Sequence, residues 1–303
     1  MTAATSRVGD AAQSARTLAT IQAANARLRA GQTEVATGKA AQRYDEIAPE
    51  AGLLLRAKGQ RALAETHARQ NEQVADRLTA MDGALSSLGG VAERMRTLLV
   101  QRLDGSTGAL VPIDREGETL LAEAASRLNL RLDERYLFAG SRTDTVPVEL
   151  PTGAPLTAAD PAAYYRGDDL TVSVRADRDV EVPYGVTAAD PAFANLLGGL
   201  GKAVEAHRAG DRGGLEAALG MMDAAIGQLA ELRGELGATG ARLEAIAEGQ
   251  RGTAVYLGEV VSGIEDVDLP TTLTRIAQDQ AGLEAAYLTT SRLGQLSLAD
   301  FLR

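Results

Sequence analysis

Cysteine and tryptophan are missing from this chain of 303 residues, and phenylalanine occurs three times, histidine twice and proline nine times. Without cysteine there are no disulfides, no thiolate metal ligands and no cysteine nucleophile, and compartment cannot be read from redox chemistry. The hydrophobic share of 45% is mostly Ala, Leu and Val, which with so few aromatics and prolines favours helices over a strand-rich fold. No eighteen apolar residues run together, and the opening MTAATSRVGDAAQSARTLA lacks an apolar core. Neither a membrane span nor a cleaved secretory signal is therefore expected, and taken alone that predicts a cytoplasmic protein.

Positive charge is also in deficit. The formal net charge is -10, which argues against nucleic acid, whose phosphates demand a concentrated basic face. The mildly basic segment from Arg7 to Arg43 spreads its charges along a helix and reads as a solvated face.

Chemistry-bearing patterns are equally scarce. His67 and His207 lack a His-x-x-x-His or His-Glu-x-x-His partner. LLGGLGKAV, beginning at Leu196, fails the phosphate-loop pattern at Leu196 and Ala203 and the dinucleotide fingerprint at Val204; it is expected to break a helix. The acidic pairs Asp45-Glu46 and Asp168-Asp169 are sequence neighbours in loops, where turn chemistry accounts for them better than a split acid and base does. Arg166-Gly167-Asp168 reads as a turn before a hairpin. No catalytic, metal or cofactor-binding residue is assigned, and an enzyme is not expected.

What the chain has in abundance is helical periodicity. Apolar residues recur at alternating spacings of three and four along four seams. The first runs through Leu18, Ile21, Asn25, Leu28, Gln32 and Val35; the second through Val74, Leu78, Met81, Leu85, Leu88, Ala92, Met95 and Leu99. The third carries Leu215, Met222, Leu229, Leu236 and Leu243 in one column and Leu219 and Ile226 in the other, weakened at Arg233 and Gly240. The fourth runs through Leu269, Leu273, Ile276, Gln280, Leu283, Tyr287 and Thr290. A further helix is predicted after Pro112, through Leu120, Ala124 and Leu128. Breaks are expected at Tyr44–Gly52, with Pro49 at a first helical position, and in the turn-rich Asp104–Asp114. Gly213, Gly220, Gly227 and Gly234 lie one heptad apart, either as a groove for a closely approaching backbone or as the incidental pattern of a chain with 32 glycines.

The middle differs. Leu170, Val172 and Val174, then Val180, Val182 and Tyr184, alternate with period two around a polar turn, which predicts a hairpin. TAADPAA from Thr157 and TAADPAF from Thr187 echo each other; Asp160-Pro161 and Asp190-Pro191 are read as capped starts of helices or turns. Before them, in ERYLFAGSRTDTVPV, Tyr136 and Phe138 stand two apart in a chain that is 3% aromatic.

Helical ends around such an insert resemble bacterial flagellar axial proteins, and the resemblance covers nearly the whole chain. EVATGKAAQRYDEIAPEAGLLL is similar to the flagellin N-terminal pattern at Gly38, Lys39, Asp45, Glu46, Ala51, Gly52 and Leu53, departing from it at Pro49. SGIEDVDLPTTLTRIAQDQAGLEAAYLTTSRLGQLSLADFL is similar to the C-terminal pattern at Ser262, Ile264, Asp266, Asp268, Gln280 and the closing Leu-Ser-Leu. The middle, with Tyr136, Leu137, Phe138, Ala139 and Gly140 as the transition out of the helices, resembles the hook-associated protein 3 (hook–filament junction) branch of the family more than it resembles a short flagellin.

The resemblance implies a mainly α, flagellin-like fold, with long terminal helices pairing as a coiled coil or bundle and a small β-rich insert. It divides the chain into a terminal domain (1–44 with 258–303), a helical bundle (45–138 with 193–257) and the insert (139–192). It also implies an extracellular protein exported through the flagellar type III channel, reversing the cytoplasmic expectation. Its partners would be a hook-side junction protein, flagellin, further copies in a ring or helical array, and an export chaperone on the helix from Leu269 to Leu302. No cofactor, nucleic acid or membrane insertion is implied. The first and fourth seams are expected to be weakly ordered in isolation and to pack between subunits, with Asn25, Gln32 and Gln280 either setting register or facing water. The rival from another class, a cytoplasmic coiled-coil scaffold, explains the seams but not the insert or the paired terminal patterns.

Overall fold

The computed structural model describes residues 2–104, 111–151, 156 and 158–301, with side chains from 15 to 292. Most of the turn-rich stretch after Asp104, Thr157 of the TAADPAA echo and Leu302 lie outside the described residues, as do the side chains of the closing Leu-Ser-Leu.

The helices are α1 (Thr2–Thr37), α2 (Ala48–Leu103), α3 (Ile113–Leu128), α4 (Pro191–Ala209), α5 (Arg212–Glu265) and α6 (Leu269–Phe301). Between α3 and α4 lie two antiparallel hairpins, β1 (Arg131–Leu132) with β2 (Arg135–Tyr136) and β3 (Val172–Asp177) with β4 (Val180–Tyr184). The fold is mainly α with a small β region. Chain contacts group into two compact units, Met1–Ala62 with Thr253–Arg303 (unit 1) and Leu63–Gly252 (unit 2).

In unit 2 the second seam forms the core as its spacing dictates: Val74, Leu78, Met81, Leu85, Leu88, Ala92, Met95 and Leu99 are all buried. Opposite them lie the Leu215–Leu243 column of α5, with Leu219 and Ile226 half-buried beside it, and Leu120, Ala124 and Leu128 of α3. Arg233, which interrupts the second α5 column, reaches the rim and grips Asp82 through Nε and Nη2, at 2.7 and 3.2 Å. Gly220, Gly227 and Gly234 face open space, and no backbone among the described residues fills the groove they form.

The stretch LLGGLGKAV does not break α4 but lies inside it. A Cβ at Gly201 would sit 1.6 Å from the Leu156 carbonyl oxygen, and one at Gly198 would sit 2.6 Å from that of Ala158. Glycine costs about 1 kcal/mol in a helix interior; here it admits a crossing backbone that any side chain would exclude. Both Asp-Pro pairs act as expected. Asp160 caps a short 3-10 turn and Asp190 caps α4, their carboxylates accepting from Ala162 N at 3.0 Å and Ala192 N at 2.9 Å.

The hairpin also forms. Val172 pairs with Tyr184 and Val174 with Val182, and a bulge follows between Arg175 and Asp177. That bulge is held from α2. His67 Nδ1 donates to the Arg175 carbonyl at 3.1 Å and Asn71 Nδ2 to that of Ala176 at 2.9 Å, which explains His67 without a metal. Leu170, expected in register with Val172, lies outside the strand and is exposed.

Insert and bundle share one core. Phe138 is fully buried and meets Phe193 of α4 edge-to-face, ring centroids 5.7 Å apart, while its carbonyl accepts from Ala188 N at 2.9 Å. Val148, Tyr164, Ala176 and Val182 join the same cluster. Replacing Phe138 with alanine removes the aromatic anchor of the insert and is expected to cost about 3–5 kcal/mol, read as a lower urea midpoint by far-UV circular dichroism.

Candidate assembly surface

Unit 1 is built around α1 and α6, which run antiparallel. On α1 the covered positions are Ile21, Ala24, Asn25, Leu28, Gly31 and Val35; on α6 they are Thr272, Ile276, Asp279, Leu283 and Ala286. Both sets recur every three or four residues, as one stripe per helix requires. Gly31 sets the spacing, since a Cβ there would lie 2.9 Å from Ile276 Cγ1.

Polar pairs flank the stripe and fix its register. Asn25 Nδ2 donates to the Tyr287 hydroxyl at 3.3 Å, Arg27 Nε meets Asp279 at 3.2 Å, and Arg275 pairs with Glu34. Beyond α1 the chain turns at Gly38, whose φ of 71° is the left-handed conformation glycine adopts without strain. There Ala40 N donates to the Glu265 carbonyl at 2.8 Å and Val267 N to that of Gly38 at 3.0 Å. The Lys39 ammonium reaches Glu265 at 2.7 Å, and Lys58 joins the same carboxylate. Hydrogen bonds from Lys39 and then Lys58 hold Glu265 below the usual glutamate range, and the bond to Glu265 lifts Lys39 above the usual lysine range. Asp268 caps α6, its carboxylate taking the Thr271 hydroxyl at 2.7 Å and lowered mainly by that bond. Two sequence motifs 226 residues apart thus form one clamp.

Not all the predicted seam residues enter this pairing. Ile21, Asn25, Leu28, Val35, Ile276 and Leu283 do. Leu18, Gln32, Leu269, Leu273 and Gln280 are exposed, and Tyr287, also mainly exposed, contributes its hydroxyl. The covered stripe on α6 uses the column Thr272–Asp279–Ala286 in place of Leu273–Gln280–Tyr287, one residue over. Gln32 and Gln280 therefore set no register within the chain. Ala24 and Gly31, missed in the sequence, carried a signal: small residues one heptad apart, where a helix can approach closely.

The N-terminal helical region of bacterial flagellin matches residues 9–143, and its C-terminal helical region matches residues 219–302. The chain belongs to the flagellin family. The clamp joins one segment from each of these regions. No curated protein matches this flagellin-family chain. Among solved structures it is similar to a flagellar hook-associated protein from Vibrio parahaemolyticus (14% identity, TM-score 0.59, covering 73% of this chain and 100% of that one). It is also similar to FlgL from Bacillus cereus (16%, 0.55, 69% and 99%) and to the flagellar junction protein FlgL from Legionella pneumophila (14%, 0.50, 70% and 99%). At these identities the likeness is one of fold.

The transition motif has a structural role in this fold. Asp133 and Glu134 take left-handed conformations in the tight β1–β2 turn, Tyr136 N donates to Thr143 O at 2.8 Å, and the Arg131 guanidinium lies 5.7 Å from the Tyr136 ring centre. Leu137 is half-buried against the core, and Phe138 and Ala139 are fully buried. Gly140 passes over the Asp168 carbonyl, where a Cβ would come within 2.3 Å. The Ser141 hydroxyl and amide hold the Asp168 carboxylate below its usual range, and Arg166 meets Glu149 at 3.2 Å, so Arg166-Gly167-Asp168 is a turn with both charges engaged. Asp45 and Glu46 likewise serve a turn, bonded to Arg43 at 2.9 Å and to Gln42 N at 2.8 Å. His207 accepts from Arg102 Nε at 3.3 Å. Among the described residues no group of His, Asp and Glu converges as metal ligands, and no helix is long and apolar enough to cross a membrane.

The clamp has a pH window set by both partners. Glu265, lowered in the folded state, stabilises unit 1 above the usual glutamate range, and that contribution is lost as pH falls through its folded value. Lys39, raised, contributes below the usual lysine range and loses its share as pH rises through its own folded value. Protection of the Ala40 and Val267 amides, measured against the intrinsic exchange rate at each pH, should therefore be greatest between these limits; Glu265→Gln should lower it several-fold at neutral pH and blunt the acid edge.

Proposed function

We propose that this chain is a structural axial component of the bacterial flagellum, a hook-associated junction protein linking hook to filament by self- and hetero-assembly of its terminal helices. The observation that carries this is where its apolar surface lies. Of fourteen exposed large hydrophobics among the described residues, ten belong to unit 1: Leu18, Tyr44, Leu53, Leu55, Val255, Tyr256, Leu269, Leu273, Tyr287 and Leu288. Large side chains left uncovered on paired helices mark an interaction surface. Leu273 and Tyr287 lie beside the stripe that α1 covers and Leu288 lies on the far face of α6, so a neighbouring subunit can dock there without displacing α1.

The hook-associated and junction proteins of the same fold support the junction reading, as does the β insert joined through Tyr136–Gly140. A junction meets different neighbours at its two ends, so its surfaces are heterologous. The partners in this reading are a hook-side junction protein, flagellin and further copies of the chain in a ring or helical array. An export chaperone would cover the exposed face of α6 before secretion, and the working place is outside the cell. A short flagellin is the second reading, favoured by the flagellin regions matched at both ends. Deletion of the gene separates the two: hooks without filaments and flagellin lost to the medium support the junction, whereas loss of the dominant filament protein supports flagellin.

The exposed flank is directly testable. Leu273→Glu combined with Leu288→Glu should leave the helicity of the isolated chain unchanged and reduce filament-bearing cells at least tenfold; normal filament numbers would count against the assigned surface.

A further inference from the structure

On unit 2, beside the β3–β4 hairpin, a cleft is walled by Met81 of α2 and by Val172, Tyr184 and Val186, with Arg77 and Arg135 among its lining residues. It offers about 60 Å³, several times the roughly 10–15 Å³ that one water requires. Arg77 donates to the Tyr184 hydroxyl at 3.3 Å. Among the described residues neither arginine has a carboxylate within ion-pair distance. An apolar hollow with two unpaired guanidiniums suits an aliphatic side chain next to a carboxylate.

That combination occurs at the lip of the same cleft. Leu170, which precedes β3, is 64% exposed, and Asp169 before it is exposed and has no ion-pair partner among the described residues. Its neighbour Asp168 is by contrast engaged with Ser141 and the Leu170 amide. Knob and hollow adjoin on one patch, which is the arrangement a two-fold contact requires: each copy gives what the other receives.

We propose that this patch docks a second copy of the chain, the partner's Leu170 entering the cleft and the partner's Asp169 meeting Arg77 and Arg135. The hollow is small, so the contact is weak and transient. It is separate from the α1–α6 surface and does not depend on the flagellar role.

The absence of cysteine allows a site-specific test. Full-length Thr171→Cys protein, carrying Leu273→Glu to remove association through unit 1, is treated with a short bismaleimide at several hundred micromolar. A cross-linked dimer is expected. Arg135→Glu should lower its yield at least fivefold, and adding Asp169→Arg to the same chain should restore most of it, with circular dichroism unchanged throughout. No dimer in the parent, a yield insensitive to Arg135→Glu, or a folded double variant that fails to recover would each overturn the proposal.

Discussion

A helix with one apolar stripe is stable only while something covers that stripe. For α1 the cover within the chain is α6, and the fit is narrow: Ile21, Ala24, Leu28 and Gly31 against Ile276, Leu283 and Ala286. Small residues keep the helices close, and ion pairs at either side decide which way α6 faces. Because Asp279 and Arg275 are held by Arg27 and Glu34, the larger residues Leu273 and Leu288 are turned outward, and Tyr287 keeps its hydroxyl on Asn25 while its ring stays mainly exposed. Intrachain pairing thus uses one flank of α6 and leaves the other for neighbours.

The clamp at Gly38–Ala40 and Glu265–Val267 makes that division possible. A left-handed glycine, two backbone hydrogen bonds and a carboxylate shared by two lysines join segments from both ends of the sequence. Unit 2 is organised differently, by a continuous core from Val74 to Leu243 into which the insert sends Tyr164, Ala176 and Val182. Its large hydrophobics are mostly interior; those of unit 1 include many at the surface. A protein whose function is to be built into a larger array needs both, one part complete alone and one completed by others.

The sequence made legible what depends on local period and local capping. The α2 seam, the α5 column, the hairpin and the two Asp-Pro caps all follow from spacing that neighbouring residues determine. Rotation of α6 by one column was not legible, because Thr272–Asp279–Ala286 and Leu273–Gln280–Tyr287 repeat with the same period and the choice rests on charges more than 200 residues away. The role of the α4 glycines is hidden for the same reason: their local cost is visible, whereas the backbone at Leu156 and Ala158 that needs the space comes from a distant loop. The change of period marks out the insert in sequence, whereas the burial of Tyr164, Ala176 and Val182 in the bundle core depends on contacts that no local pattern announces.

The central claim is that the outward flank of α6 is covered on assembly and only then. Maleimide labelling of a Leu273→Cys chain, the only thiol in the molecule, measures this directly. The account predicts fast labelling of the isolated chain and strong protection once it is incorporated into the assembled structure. Equal labelling in both states would contradict it.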